Sequence, residues 1–194
     1  SSGRLADFRA LPHTIDYSVG QSEGCTKQQS TRHLLMVKSA DPLGANYLVL
    51  RDITTDSPAN NEFFWNLWCL SKDPEIAGNI VHFPGQLGVD LDVHLLSPAK
   101  PQISTDKWDW QQYIGTWGNF TEAQYGIHVR KQGSGEDYFA VLYPRAAGQG
   151  PAQVAPLGDG CGMSVMHMEG TDVVLLSTGK PATVTADGMQ LTGE

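Results

Sequence analysis

The chain has 194 residues, enough for one large domain, and carries 13 basic against 21 acidic side chains for a formal net charge of −8. That balance speaks against a nucleic-acid binder, which needs a basic face, and no apolar run approaches the roughly 20 residues of a membrane span. Charged residues make up only 18%, against roughly 25% in an average domain, while 21 Gly and 11 Pro supply turns, so an all-β chain is expected over a helical one.

In chain order, Ser1-Ser2-Gly3-Arg4 shows no signal-peptide pattern and is expected as the start of a mature or excised fragment. Residues 13–19 alternate apolar and polar up to Gly20. Residues 31–38 and 47–53 are apolar strands separated by the turn Asp41-Pro42-Leu43-Gly44. Residues 62–70 are aromatic and long enough for a central strand. Residues 89–95 alternate with period two, which places Asp90, Asp92 and His94 on one face. Residues 97–120 are Trp-rich without a clear period and are expected as a long loop. Further strands are predicted over 124–131, 137–143, 162–168, 172–177 and 182–186, bounded by Gly, Pro and Asp turns. The pattern predicts an antiparallel β-sandwich of about 10–13 strands with a long Trp-rich loop. Each sheet should have one wet and one dry face. Residues 1–194 are expected to form a single β-sandwich domain, a fragment or module of a larger protein.

No GxSxG elbow, phosphate-binding loop, HExxH or EF-hand spacing occurs. Cys25, Cys69 and Cys161 form no CxxC, so no zinc knuckle is encoded, and a disulfide between any two cannot be assigned. Three clusters remain. Trp108, Trp110, Tyr113 and Trp117 are interleaved with Asp109, Gln111, Gln112 and Asn119. Indoles stack on the C–H faces of sugars, and Asp, Asn and Gln bond their hydroxyls, so the mixture suits carbohydrate binding. The plainer reading is that these rings anchor the loop to the sandwich.

The second cluster is His33, Asp52, Asp90, Asp92 and His94. The last three span about 13 Å at ~3.3 Å per residue, too far for one ion, so a solvated polar face is expected. A metal reading needs Asp52 with His33 or His94, and the ion would be zinc or calcium. The third is 138–145, a buried strand expected to end at Pro144 with Arg145 exposed in the next turn. His82, His128 and His167 are expected as surface or hydrogen-bonded histidines.

Taken in order, residues 32–38 (RHLLMVK), 47–52 (YLVLRD), 64–68 (FWNLW), 92–98 (DVHLLSP), 138–145 (YFAVLYPR) and 154–162 (VAPLGDGCG) resemble the C-terminal β-sandwich of heparinase II/III-like polysaccharide lyases. The resemblance covers most of residues 10–180. It implies an (α/α) toroid catalytic domain beside the sandwich and β-elimination of a uronic-acid glycan between the two. It also implies a secreted or periplasmic bacterial setting. The family's principal Tyr and His acid/base residues lie in the toroid. Asp52 matches the family's metal-linked Asp, but the family's partner histidine is Trp68 here, and an indole neither ligates zinc nor moves a proton at neutral pH.

The expected function is therefore a non-catalytic β-sandwich module of a polysaccharide-degrading protein, with no catalytic residue of its own. It would support a helical catalytic domain and line the glycan cleft. Two other readings stand beside it: an autonomous carbohydrate-binding module using Trp108, Trp110, Tyr113 and Trp117, and a metal-bearing part of a lyase active site through His33, Asp52 and His94.

Overall fold

Two hydrophobic clusters, one on each face of a single large sheet, organise the molecule. The computed structural model describes residues 2–23, 29–55, 60–113, 119–133, 137–177, 179, 181–186 and 188–193, with the side chains of 110–122 excepted. Among the described residues there are sixteen strands and no helix.

The large sheet has eight antiparallel strands. In spatial order they are β1 (Ser2–Leu11), β2 (Ile15–Glu23), β3 (Gln29–Val37), β4 (Tyr47–Thr55), β11 (Tyr138–Ala146), β8 (Val89–Ser97), β7 (Ile80–Phe83) and β6 (Glu75–Ala77). A three-stranded layer, β5 (Glu62–Cys69), β10 (Asn119–Gln132) and β9 (Gln102–Tyr113), packs on one face. A second, β12 (Gln153–Leu157), β13 (Gly162–His167) and β14 (Gly170–Leu175), packs on the other. The hairpin β15 (Ala182–Ala186) and β16 (Met189–Gly193) follows.

The register assigns each side chain to a face, because residues opposite one another in an antiparallel pair point the same way. Leu50, Ala140, Leu95, Val93 and Tyr138 share one face. They form a core with Trp65, Ile127 and Val129 of the β5–β10–β9 layer. Tyr47, Val49, Phe139, Val141 and Tyr143 point the other way and pack on Met163, Val165 and Val174 of the β12–β13–β14 layer. Strands β4 and β11 are thus buried on both faces, which is why YLVL and YFAVLY read as unbroken apolar runs.

The sandwich expectation holds, with a third layer added, so the central strands have no wet face. The Trp-rich stretch is corrected: Gln102–Tyr113 is a strand, paired antiparallel with β10 from Gln102↔Arg130 to Tyr113↔Asn119. Its polar residues hid the period, because β9 is an edge strand whose Ser104, Thr105, Asp106 and Lys107 are all exposed. β1 shows no clean period in the sequence either, since a bulge between Leu5 and Asp7 breaks its alternation.

Candidate functional site

The outer face of β5–β10–β9 gathers aromatic side chains. Along β5, Phe63, Trp65 and Leu67 turn into the core, so Phe64, Asn66 and Trp68 face out. Trp68 lies opposite Gly126. A Cβ on Gly126 would come within 2.7–2.8 Å of the indole atoms Cδ2, Cε2 and Cε3, so only glycine leaves room for the ring to lie there. Trp108 of β9 meets Trp68 edge-on, with centroids 6.4 Å apart and planes at 77°. His128 meets it edge-on from the other side, at 5.8 Å and 78°. His128 Nδ1 is 2.5 Å from Asn66 Oδ1, and its Nε2 is 3.9 Å from Asp106. Phe64, Trp68 and Trp108 are 51%, 37% and 52% exposed.

Of the predicted sugar-binding set, the structure therefore places Trp108 on an open aromatic face and adds Trp68, His128 and Asn66. Trp110 and Tyr113 sit in β9 opposite Glu122 and Asn119, and their side chains lie outside the described residues. Trp117 and Cys25 also lie outside them. Cys69 and Cys161 are free thiols, and burial pushes Cys69 up to about 11.

A second feature is a hollow of about 620 Å³ where the large sheet outruns the β5–β10–β9 layer. Gly3, Gly20 and Ser30 leave its floor low, and Phe64, Trp65 and Tyr138 rise beside it. On its wall Arg32 grips Asp52 with two bonds, Nε to Oδ1 at 2.7 Å and Nη2 to Oδ2 at 2.6 Å. The Tyr138 hydroxyl donates to the Phe63 carbonyl at 2.8 Å, and burial raises its pKa. The same face of β1 and β3 carries the exposed Leu5, Phe8 and Met36.

The metal set is corrected. His33 stands opposite Arg51 while Asp52 stands opposite Arg32, so His33 and Asp52 point to opposite faces of the sheet. His33 Nδ1 is taken up by the Tyr17 hydroxyl at 2.7 Å. His94 lies on β8, separated from β3 by β4 and β11. Among the described residues no group of three or more His, Cys, Asp or Glu is arranged to hold an ion. Both Asp52 oxygens already serve a guanidinium, and Trp68 offers no lone pair. These residues do not fit a metal.

The shared face of Asp90, Asp92 and His94 is confirmed by the register, but it is buried, with the three residues 8%, 3% and 4% exposed. Arg145, expected in an exposed turn, reaches in from β11. Its Nε donates to Asp92 Oδ2 at 2.6 Å and its Nη1 to the Gln149 carbonyl at 2.6 Å. His82 Nδ1 lies 2.7 Å from Asp92 Oδ1, and the Gly85 amide donates to Asp90 Oδ1 at 3.0 Å. Burial pushes the Asp92 carboxyl up, yet the bonds from Arg145 and His82 together hold it below its ordinary value. Burial lowers His94, whose Nε2 has no hydrogen-bond partner among the described residues. On the opposite layer, His167 Nε2 and the Tyr47 hydroxyl share Asp172 Oδ2 at 2.9 and 2.8 Å.

No family model matches the chain, and neither does any curated protein sequence. Solved structures do. Heparan sulfate lyase HepC from Pedobacter heparinus superposes with a TM-score of 0.59 at 14% identity, over 90% of this chain and 28% of that one. A heparinase III gene product with methylated lysines gives 0.61 at 9% identity, over 89% and 27%. A further heparinase III structure gives 0.51 at 14%, over 98% and 27%. The chain thus spans little more than a quarter of the lyases it matches. At these identities the likeness speaks for the fold: the chain has the fold of a portion of heparinase III-type lyases that makes up little more than a quarter of their length.

Proposed function

We propose that the chain is the non-catalytic β-sandwich module of a secreted or periplasmic polysaccharide lyase. The observation that carries the reading is the fold match, which takes in nearly all of this chain but only 28% of the heparan sulfate lyase. The remaining length of such a protein would hold the helical catalytic domain.

The hollow beside Arg32 and Asp52 would be this module's wall of the glycan cleft. The uncovered face of β1 and β3, with Leu5, Phe8 and Met36, would meet the helical domain. The tyrosine at the hollow supports the non-catalytic part. Tyr138 spends its hydroxyl on a backbone carbonyl, and burial disfavours its phenolate, so it is poorly suited to take a proton from a sugar carbon. Asp52 is likewise committed to Arg32.

The test compares the isolated chain with a longer chain that joins it to its helical domain, both incubated with heparan sulfate and other uronic-acid glycans. The longer chain is expected to release unsaturated uronate and the isolated chain none. Turnover by the isolated chain overturns the reading.

A further inference from the structure

The geometry points to a second binding surface, adjoining the hollow along β5: we propose that the outer face of β5–β10–β9 binds a neutral glycan by stacking it in the corner between Trp68 and Trp108. The claim does not depend on the lyase reading: the surface borders the hollow at Phe64 and Asn66 but is centred on Trp68 and Trp108, which do not line it.

The two indoles have complementary attitudes. Trp68 lies down over Gly126, which exposes one ring face outward. Trp108 stands at 77° to it, so together they make a floor and a wall. A pyranose has a C–H face for the floor and a rim of hydroxyls for the surroundings. Those surroundings supply the matching groups: the Asn66 amide, the His128 ring and the Asp106 carboxylate lie beside the floor. An apolar floor with a few convergent polar groups is the usual make-up of a small-ligand site. Phe64, two residues before Asn66 on the same face, prolongs the apolar stripe along β5 by about 13 Å at ~3.3 Å per residue, room for more than one sugar.

Charge decides which glycan. Arg130, on the same face, is neutralised by Glu62. Asp106 adds a negative charge, and the whole chain carries −8. A sulfated or uronate-rich polymer would meet repulsion there, whereas hydroxyls would not. A protein partner is the competing occupant of any exposed aromatic face. The upright-and-flat indole pair with hydrogen-bonding groups at its edge favours the sugar.

The probes are cellohexaose, xylohexaose, mannohexaose and a heparan sulfate hexasaccharide, titrated by calorimetry and by tryptophan fluorescence. At least one neutral hexasaccharide is expected to bind. Trp68→Ala and Trp108→Ala are each expected to weaken it about tenfold or more. Gly126→Val, which drives the Trp68 ring off its seat, should do the same. Leu43→Ala, in the exposed turn between β3 and β4, should leave binding unchanged. Trp108 is half exposed, so its variant keeps the test interpretable even where Trp68→Ala disturbs folding. Failure of all three neutral probes, binding of the sulfated probe alone, or binding untouched by both Trp variants would each overturn the proposal. So would sedimentation showing self-association that the Trp variants abolish without any sugar bound.

Discussion

The two three-stranded layers flank the same large sheet, yet their outer sides are treated differently. Over β12–β13–β14 the chain folds back on itself. Val184 of β15 is only 2% exposed and sits above Gly158 and Gly162, where an added Cβ would come within 3.1 and 2.7 Å of it. Leu175 is likewise met by Gly193 of β16. Over β5–β10–β9, by contrast, Phe64, Trp68 and Trp108 remain 51%, 37% and 52% exposed. The hairpin covers one layer around Gly162, though Met166 farther along its outer face stays 46% exposed, and the other layer presents its aromatics to solvent. The contrast separates residues that hold the fold from residues available for binding, although both sets are aromatic or apolar.

The largest expected effect lies on the sealed side. Asp92→Ala leaves the Arg145 guanidinium, 11% exposed, without its main partner, and should cost about 3–5 kcal/mol in urea unfolding. Replacing both with apolar residues, Asp92→Leu with Arg145→Met, should recover most of that loss, because no charge is then left buried. A double variant as unstable as the single one would show that the pair is needed for more than charge balance.

The hairpin seal should be the next most sensitive feature. Val184→Ala is expected to cost about 1–3 kcal/mol by opening a void. Gly162→Ala should cost a similar amount by forcing a Cβ to 2.7 Å from Val184 and 2.9 Å from the Val174 carbonyl. By contrast, Trp108→Ala should change stability by about 1 kcal/mol or less, measured in the same urea series. A larger loss there would make the open face part of the core and erase the contrast.

Much of this arrangement was legible in the sequence, and the misses have identifiable causes. The strands buried on both faces announced themselves as apolar runs, and the period of 89–95 correctly put Asp90, Asp92 and His94 on one face. What a local window could not show was the partner. Arg145 lies 53 residues from Asp92 in sequence, so a strip that looked solvated is buried and neutralised from another strand. Trp68 belongs to the aromatic strand legible over 62–70 and stands where the resembled family has a histidine. Its parity sets it on the face opposite Trp65, since residues three apart on a strand point to opposite faces, and the packing of Trp65 in the core decides that this face is the outer one. β9 was missed because an edge strand with polar residues on both sides loses its period. The placing of His33 and Asp52 on opposite faces depends on the β3–β4 register, which the sequence patterns do not determine.

The smallest expected effect is a pH dependence on the sealed side. Burial lowers His94 and, with help from Arg51, lowers His33. In the unfolded chain both protonate near pH 6.5, so it then binds more protons than the folded one. Stability should therefore decline as pH falls below about 6.5, and Asp92, held low when folded, should add a further loss below about pH 4. His94→Leu should flatten the first decline, read as the urea midpoint against pH. An unchanged slope in that variant would remove His94 from the account.

The most direct test of the whole assignment is amide hydrogen exchange on the chain alone and joined to its helical domain. If β1 and β3 face that domain, their amides should gain protection in the longer protein, while β5 and β9, beneath the open aromatic face, stay as they were. Protection gained on β5 and β9 with none on β1 and β3 would contradict the account, because the aromatic face would then be the one occupied within the parent.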